Sequence, residues 1–294
     1  MTERIERQND ADVETLLAEF MSRGVLERAA WEIHGRRGTT EGRVFLLSDG
    51  DGPKYVLKLD EPGQIRTTGE FLRAYSGVQL FPRLLEVHPE GEYLVYAYRE
   101  GSTRSNRGAK ARWLAKITEE VLNVYEPERE RAGWGRPEYP CESWREFNRR
   151  SLYGTRDDVR GVISLEDQQR IESLALTRLA DEGPEAKYRL HGDLGAHNFV
   201  YDQEELVGII DPDPMAGPIL YDFTYAFCST PDDLDPETLR SAYARLRLPE
   251  PKDERKLMEE TAFQLYCRIG ICLRHHPEDL EEYMTAWAFW RTFL

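Results

Sequence analysis

Apolar positions near the start of the chain recur at helical spacing. Val13, Leu16, Leu17, Phe20 and Met21 fall on one stripe and Gly24 offers a stop, so a helix is predicted over 11–23. From Trp31 to Asp60 the pattern turns β-rich, with Arg43–Leu47 and Tyr55–Leu59 as strands around the Ser48–Pro53 turn. A helix is predicted from about Thr68 to Ser76, then strands over Leu84–Val87 and Tyr93–Tyr98 around the Pro89–Gly91 turn. Beyond about Glu100 the spacing becomes helical. Trp113, Leu114, Ile117, Val121 and Leu122 mark one helix; a shorter one is expected near Trp144–Leu152 and another over Leu165–Leu179, where Ser164 and Asp167 form a capping box. A strand pair around Asp202–Glu205 interrupts this run, and helices resume near Tyr221, Pro236, Asp253 and Glu278. The pattern predicts an α+β architecture: a small N-terminal lobe with an antiparallel sheet over 1–98 and a larger, mainly helical C-terminal lobe over 99–294, joined near 97–101.

Composition narrows the classes. Apolar residues make up 40% and charged residues 32%, an ordinary globular balance. No apolar run reaches the roughly eighteen residues of a membrane span. The charged start, Met1–Arg7, lacks a signal-peptide core, so a cytoplasmic location and no membrane association are expected. Cys141, Cys228, Cys267 and Cys272 are too irregularly spaced for a disulfide framework or a zinc site. Thirty-nine bases against 54 acids leave a formal charge of −15, which argues against nucleic-acid binding. The same acidity is compatible with a cationic substrate, and equally with plain solubility.

The chemistry concentrates in His191–Asn198, which matches the catalytic-loop pattern H-R-D-L-x-x-x-N with Gly192 at the arginine position. Phosphoryl transfer needs a carboxylate to orient the attacking hydroxyl and oxygen ligands for Mg²⁺. A tight loop can hold Asp193 and Asn198 around one phosphate. Asp211, ending the predicted strand Leu206–Ile210, supplies a second acid for the metal.

Together with Ile209–Asp213 and Tyr221–Phe223, this segment resembles the aminoglycoside phosphotransferase family of small-molecule kinases, whose superfamily includes choline, fructosamine, homoserine and methylthioribose kinases. The close match spans about 187–228. The resemblance implies a protein-kinase-like two-lobed fold, with Asp193 as the catalytic aspartate and Asn198 and Asp211 as Mg²⁺ ligands. Asp222 is similar to a family aspartate that buttresses the catalytic loop; an N-cap is the other reading of its position. Pro212–Asp213 replaces Phe-Gly, an Ala-Pro-Glu segment is missing, and Gly192 removes the arginine that receives an activation-loop phosphate, so a switched protein kinase is disfavoured. Asp213 reads either as a ligand of a second metal or, more simply, as a turn acid.

Upstream, Lys58 in Tyr55–Leu59 is similar to the lysine of V-A-I-K that holds the α- and β-phosphates, and Glu70 is its expected partner, with Glu61 also available. Gly35–Gly42 is the candidate phosphate-covering loop, with Thr39 and Thr40 as hydroxyl donors; an ordinary hairpin turn has the same composition. Val95–Tyr98 would hold the base, with Tyr96 or Tyr98 stacking on it or simply packing in the core. For the acceptor wall, acids (Glu142, Asp232, Asp233, Glu278, Asp279, Glu281, Glu282) and tryptophans (Trp134, Trp144, Trp287, Trp290) are available, without a selection among them. The expectation is a monomeric or homodimeric kinase that transfers the γ-phosphoryl group of ATP or GTP to a small-molecule hydroxyl. A housekeeping metabolite kinase for choline, fructosamine or a similar compound stays open, as does a catalytically silent nucleotide-binding pseudokinase.

Overall fold

The apolar residues of Arg43–Leu59 need a second layer to cover them, and the first helix covers Phe45, Leu47 and Leu57. The computed structural model describes residues 2–27, 29–37, 43–104, 106–179, 186–247 and 252–294. Packing divides them into two units, Met1–Gly77 with Phe81–Glu100, and Val78–Leu80 with Gly101–Leu294.

In the first unit, α1 (Thr2–Arg23) lays Val13, Leu17 and Phe20 against Phe45, Leu47, Leu57, Tyr93 and Val95, all buried. Gly24 ends the helix with φ +73°, the left-handed conformation that a helix stop demands. The helix starts nine residues before the predicted 11, because Thr2–Asp10 is polar and shows no stripe to read. The sheet is antiparallel in the order β1-β2-β3-β5-β4, formed by Glu32–Arg37, Arg43–Asp49, Gly52–Leu59, Leu84–Val87 and Tyr93–Ala97 for β1 to β5. β3 is central: Lys58 lies opposite Val44 on one side and Leu94 on the other.

Between β3 and β4 runs α2, Pro62–Ala74, rather than Thr68–Ser76. Pro62 and Gly63 look like breakers, yet proline is well placed in a first turn, where no N–H is required. The buried face of α2 includes Ile65, Thr68, Gly69 and Leu72. Gly69 matters because a Cβ there would sit 2.5 Å from Val87 Cγ2, so the helix approaches β4 only because the side chain is absent.

The second unit is helical around two short strand pairs. Its helices are α3 (Lys110–Glu120), α4 (Trp144–Arg156), α5 (Leu165–Thr177), α6 (Ile219–Cys228), α7 (Pro236–Tyr243), α8 (Glu254–His275) and α9 (Leu280–Trp290). Ser164 caps α5 by accepting from Asp167 N at 3.1 Å. The Asp167 carboxylate takes two bonds from Arg291, at 2.7 and 2.9 Å. β7 (Phe199–Asp202) and β8 (Glu205–Ile209) form the anticipated hairpin, whose turn residues Gln203 and Glu204 have φ +46° and +68°. A second antiparallel pair, β6 (Tyr188–Leu190) with β9 (Met215–Gly217), is too short to leave a sequence pattern. Among the described residues, no helix is long and apolar enough to cross a membrane.

Gly69→Ala should lower stability by about 1 kcal/mol. Overpacking costs about 1–3 kcal/mol, and the gain in helix propensity returns at most about 1 kcal/mol. A urea titration of both proteins checks this; a more stable variant would show that α2 and β4 have room to part.

Candidate active site

The loop between β6 and β7 must turn sharply, and two glycines make that possible. Gly192 has φ +78°, and a Cβ on it would collide with Asp213 O. The approach is fixed by Asp213 N, which donates to His191 O at 2.9 Å. Gly195 leaves space for two rings: a Cβ there would meet His197 Cε1 at 2.7 Å and Tyr225 Cε1 at 3.2 Å. A helical turn, Ala196–Asn198, then delivers Asn198 to the start of β7. The β7–β8 hairpin returns the chain so that Ile210 N donates to Asn198 O at 2.9 Å. Asp211 follows directly, in a left-handed conformation of φ +53° that a non-glycine residue seldom adopts. Local pairing therefore gathers Asp193, Asn198 and Asp211 at one end of a hairpin.

The Asp193 carboxylate is held at both oxygens. Tyr225 Oη donates to Oδ1 at 2.8 Å; His197 Nε2 and Asn198 Nδ2 reach Oδ2 at 2.9 and 3.0 Å. Burial alone would raise its pKa, but the hydrogen bonds and charge of His197, with Tyr225, outweigh it and hold the group well below the usual carboxylate range. His191 is fully buried, and burial pushes its imidazole down to about 4, so it is neutral at physiological pH. Its Nδ1 accepts from Asp193 N at 3.3 Å and its Nε2 lies 3.2 Å from Ile210 O, which together assign the proton to Nε2. The ring is a spacer that bonds both strands of the site.

Beneath the loop lies Asp222, in the first turn of α6 and fully buried. It is not an N-cap; Pro218 occupies that position. Its carboxylate accepts from His191 N at 2.9 Å, Gly192 N at 3.2 Å and Tyr125 Oη at 2.7 Å. Burial raises its pKa to about 6 against these three donors, leaving it ionised at neutral pH. Asp213, half-buried, forms an ion pair with Arg136, whose Nη2 also donates to Gly192 O at 3.3 Å. Burial works against the Arg136 charge, but Tyr221 and Asp213 raise its pKa overall.

The donor set suits a hard cation. Asn198 turns its amide nitrogen inward, to Asp193 O and Oδ2, each at 3.0 Å, and no described residue donates to its Oδ1. That oxygen and the Asp211 carboxylate are the ligand type and number Mg²⁺ accepts when phosphates and water complete its shell. Among the described residues, no cluster of three or more His, Cys, Asp or Glu forms a metal site of another kind.

The remaining predicted residues belong to the first unit. Lys58 on β3 is buried to 9% exposure, with Nζ 3.6 Å from Asp60 Oδ2. Glu70 is exposed on α2, Tyr96 is buried on β5, and Tyr98 lies just past that strand, its N–H donating to Lys54 O at 2.8 Å. Gly35 belongs to β1; Thr39 and Thr40 fall outside the described residues.

The sequence profile of the phosphotransferase enzyme family matches residues 32–259. The chain belongs to this family. It is accordingly a phosphotransferase that acts on an alcohol group. No curated protein matches it in sequence. Among solved structures it is similar to choline kinase LicA from Streptococcus pneumoniae, at 12% identity and TM-score 0.59, covering 96% of this chain and 99% of that one. It is also similar to macrolide 2'-phosphotransferase MphH from Brachybacterium faecium, at 15% identity and TM-score 0.57, covering 94% and 98%. A third is the GDP and kanamycin complex of APH(2")-IIia, at 14% identity and TM-score 0.58, covering 95% and 98%. At such identities the likeness shows the fold, which is protein-kinase-like.

Sequence reasoning missed the residues of this phosphotransferase that hold its loop from outside. His197 sits inside the motif but draws attention only once the turn folds it under Asp193. Tyr225 had a signal: it lies three residues beyond Asp222, on the same helix face. Arg136 lies in an irregular segment and left none.

Gly192→Ala should cost about 3 kcal/mol, combining a positive-φ penalty with a backbone collision. Gly161→Ala is the control: φ is +88° but no atom lies within 4 Å of its Cβ, so about 1 kcal/mol is expected. Urea midpoints compare the two, and equal losses would exclude the collision with Asp213.

Proposed function

We propose that this phosphotransferase is a kinase that moves the γ-phosphoryl group of ATP or GTP onto a hydroxyl of a small molecule, in the cytoplasm. One observation carries the reading: an ionised Asp193, clamped at both oxygens by Tyr225, His197 and Asn198, beside an Asn198 amide oxygen turned outward. A carboxylate with so depressed a pKa is a weak base. It suits a reaction whose transition state is loose and whose nucleophile loses its proton late, where the carboxylate mainly orients the hydroxyl. Asn198 and Asp211 would hold Mg²⁺, which supplies charge neutralisation to the phosphates when bound.

In the first unit, Lys58 would bind the α- and β-phosphates, with Glu70 fixing its ammonium. Thr39 and Thr40 would cover the phosphates, and Tyr96 and Tyr98 would flank the base. A nucleotide donor is supported by the GDP complex of APH(2")-IIia. The rigid hydrogen-bonding around Asp193 favours a working site over the pseudokinase alternative, since nucleotide binding alone has no need of an oriented carboxylate.

Asp193→Ala should reduce acceptor-dependent turnover about a thousandfold while the nucleotide dissociation constant stays within about threefold. Nucleoside diphosphate release, followed with both nucleotides against aminoglycosides, macrolides, choline and sugar amines, makes the test; turnover close to wild type in the variant would remove the assignment. Chelating Mg²⁺ with EDTA should abolish the same release, and its return on adding Mg²⁺ checks that the loss is not unfolding.

A further inference from the structure

A cavity of about 230 Å³ opens between α4, α6 and α8, wholly within the second unit. Tyr225 ties it to the chemistry: its ring lines the cavity and its hydroxyl is 2.8 Å from Asp193 Oδ1. The wall is aromatic and held in place. Phe147 stacks on Trp144 at 4.4 Å and meets Tyr221 edge-on at 5.4 Å, and Phe263 faces them from α8.

The charges decide what such a wall takes. Aromatic faces alone would favour a cation. Here, among the described residues, no carboxylate lines the cavity, and none of the acids considered from the sequence reaches it. The lining charge is Arg274, paired with Asp158 at 3.1 Å. Arg136 and Arg268 lie close enough to act on Tyr225, and Arg136 is spent on Asp213. A cation would find no lining carboxylate to pair with, and an anion would find the lining arginine already neutralised.

Gly154 marks the exposed edge of the cavity. It stands inside α4 at a helix position where glycine is unfavourable, it lines the cavity, and no atom lies within 4 Å of a Cβ built on it. Packing does not require the glycine, which is exposed at the edge of the cavity.

The geometry points to this cavity as the acceptor pocket and to an uncharged, ring-bearing alcohol as the class of acceptor, in place of a polyamine. The inference rests on the kinase reading of Asp193. The ring stacks within the aromatic wall and the hydroxyl lies beside Tyr225, whose own hydroxyl is bonded to Asp193 Oδ1.

Gly154→Leu fills the space without a clash at Cβ, and Gly154→Ala is a milder version that preserves the fold. Ligand-observed NMR titrations use benzyl alcohol, benzylamine and phenylacetate as probes. Benzyl alcohol should bind at least about tenfold more tightly than either charged probe, and Gly154→Leu should weaken it by at least about tenfold, with an undiminished unfolding midpoint. Equal or tighter binding of benzylamine or phenylacetate, no saturable binding of benzyl alcohol, or binding unchanged in both variants overturns the inference. Nucleoside diphosphate release separates it from the kinase reading. Asp193-dependent release on kanamycin that Gly154→Leu leaves intact sinks the pocket and keeps the kinase; specific benzyl alcohol binding with no Asp193-dependent release on any acceptor does the reverse.

Discussion

The second unit is organised by a buried carboxylate. Asp222 takes hydrogen bonds from two successive backbone amides and from Tyr125, and so fixes His191 and Gly192 over the first turn of α6. Three donors aimed at one carboxylate oppose its desolvation, which still leaves the pKa raised to about 6. Once those amides are placed, little freedom remains: His191 points at Ile210, Asp193 follows, and Tyr225, one turn along the same helix, meets Asp193 from below. The reactive carboxylate thus borrows its position from a helix rather than from the loop that carries it.

That helix is secured at its far end too. Lys110, fully buried, donates from Nζ to Phe227 O and Thr230 O, each at 3.0 Å, where α6 runs out of internal partners. Burial pushes the ammonium down to about 8, with Asp232 and Asp233 opposing the shift. A cation at a helix C-terminus also complements the helix dipole. Asp222 anchors the first turn and Lys110 the last, and Tyr225 lies between.

What the sequence made legible follows from how local each feature is. The catalytic loop, the β7–β8 turn and the Ser164 cap are set by residues within a few positions of one another, and all can be read from spacing. The start of α2 was misread because Pro62 and Gly63 signal a break only away from a first turn. The early part of α1 is polar, so no stripe announced it. Asp213, Arg136, Tyr125 and Tyr225 acquire their roles across long stretches of chain, where sequence spacing carries no geometric information. The ion pair of a carboxylate next to a motif shows only once its partner, 77 residues away, is in view.

The same contact explains why glycine stands where protein kinases carry arginine. Asp213 O fills the space any side chain at 192 would need, because Asp213 N is bonded back to His191 O. The cation has not been lost from the neighbourhood. Arg136 supplies it from another segment, pairing with Asp213 and reaching Gly192 O. An arginine in the loop can be left unpaired until a phosphate arrives, which is what makes it a switch. Arg136 has its carboxylate built in, and this loop is held by contacts that need no phosphate.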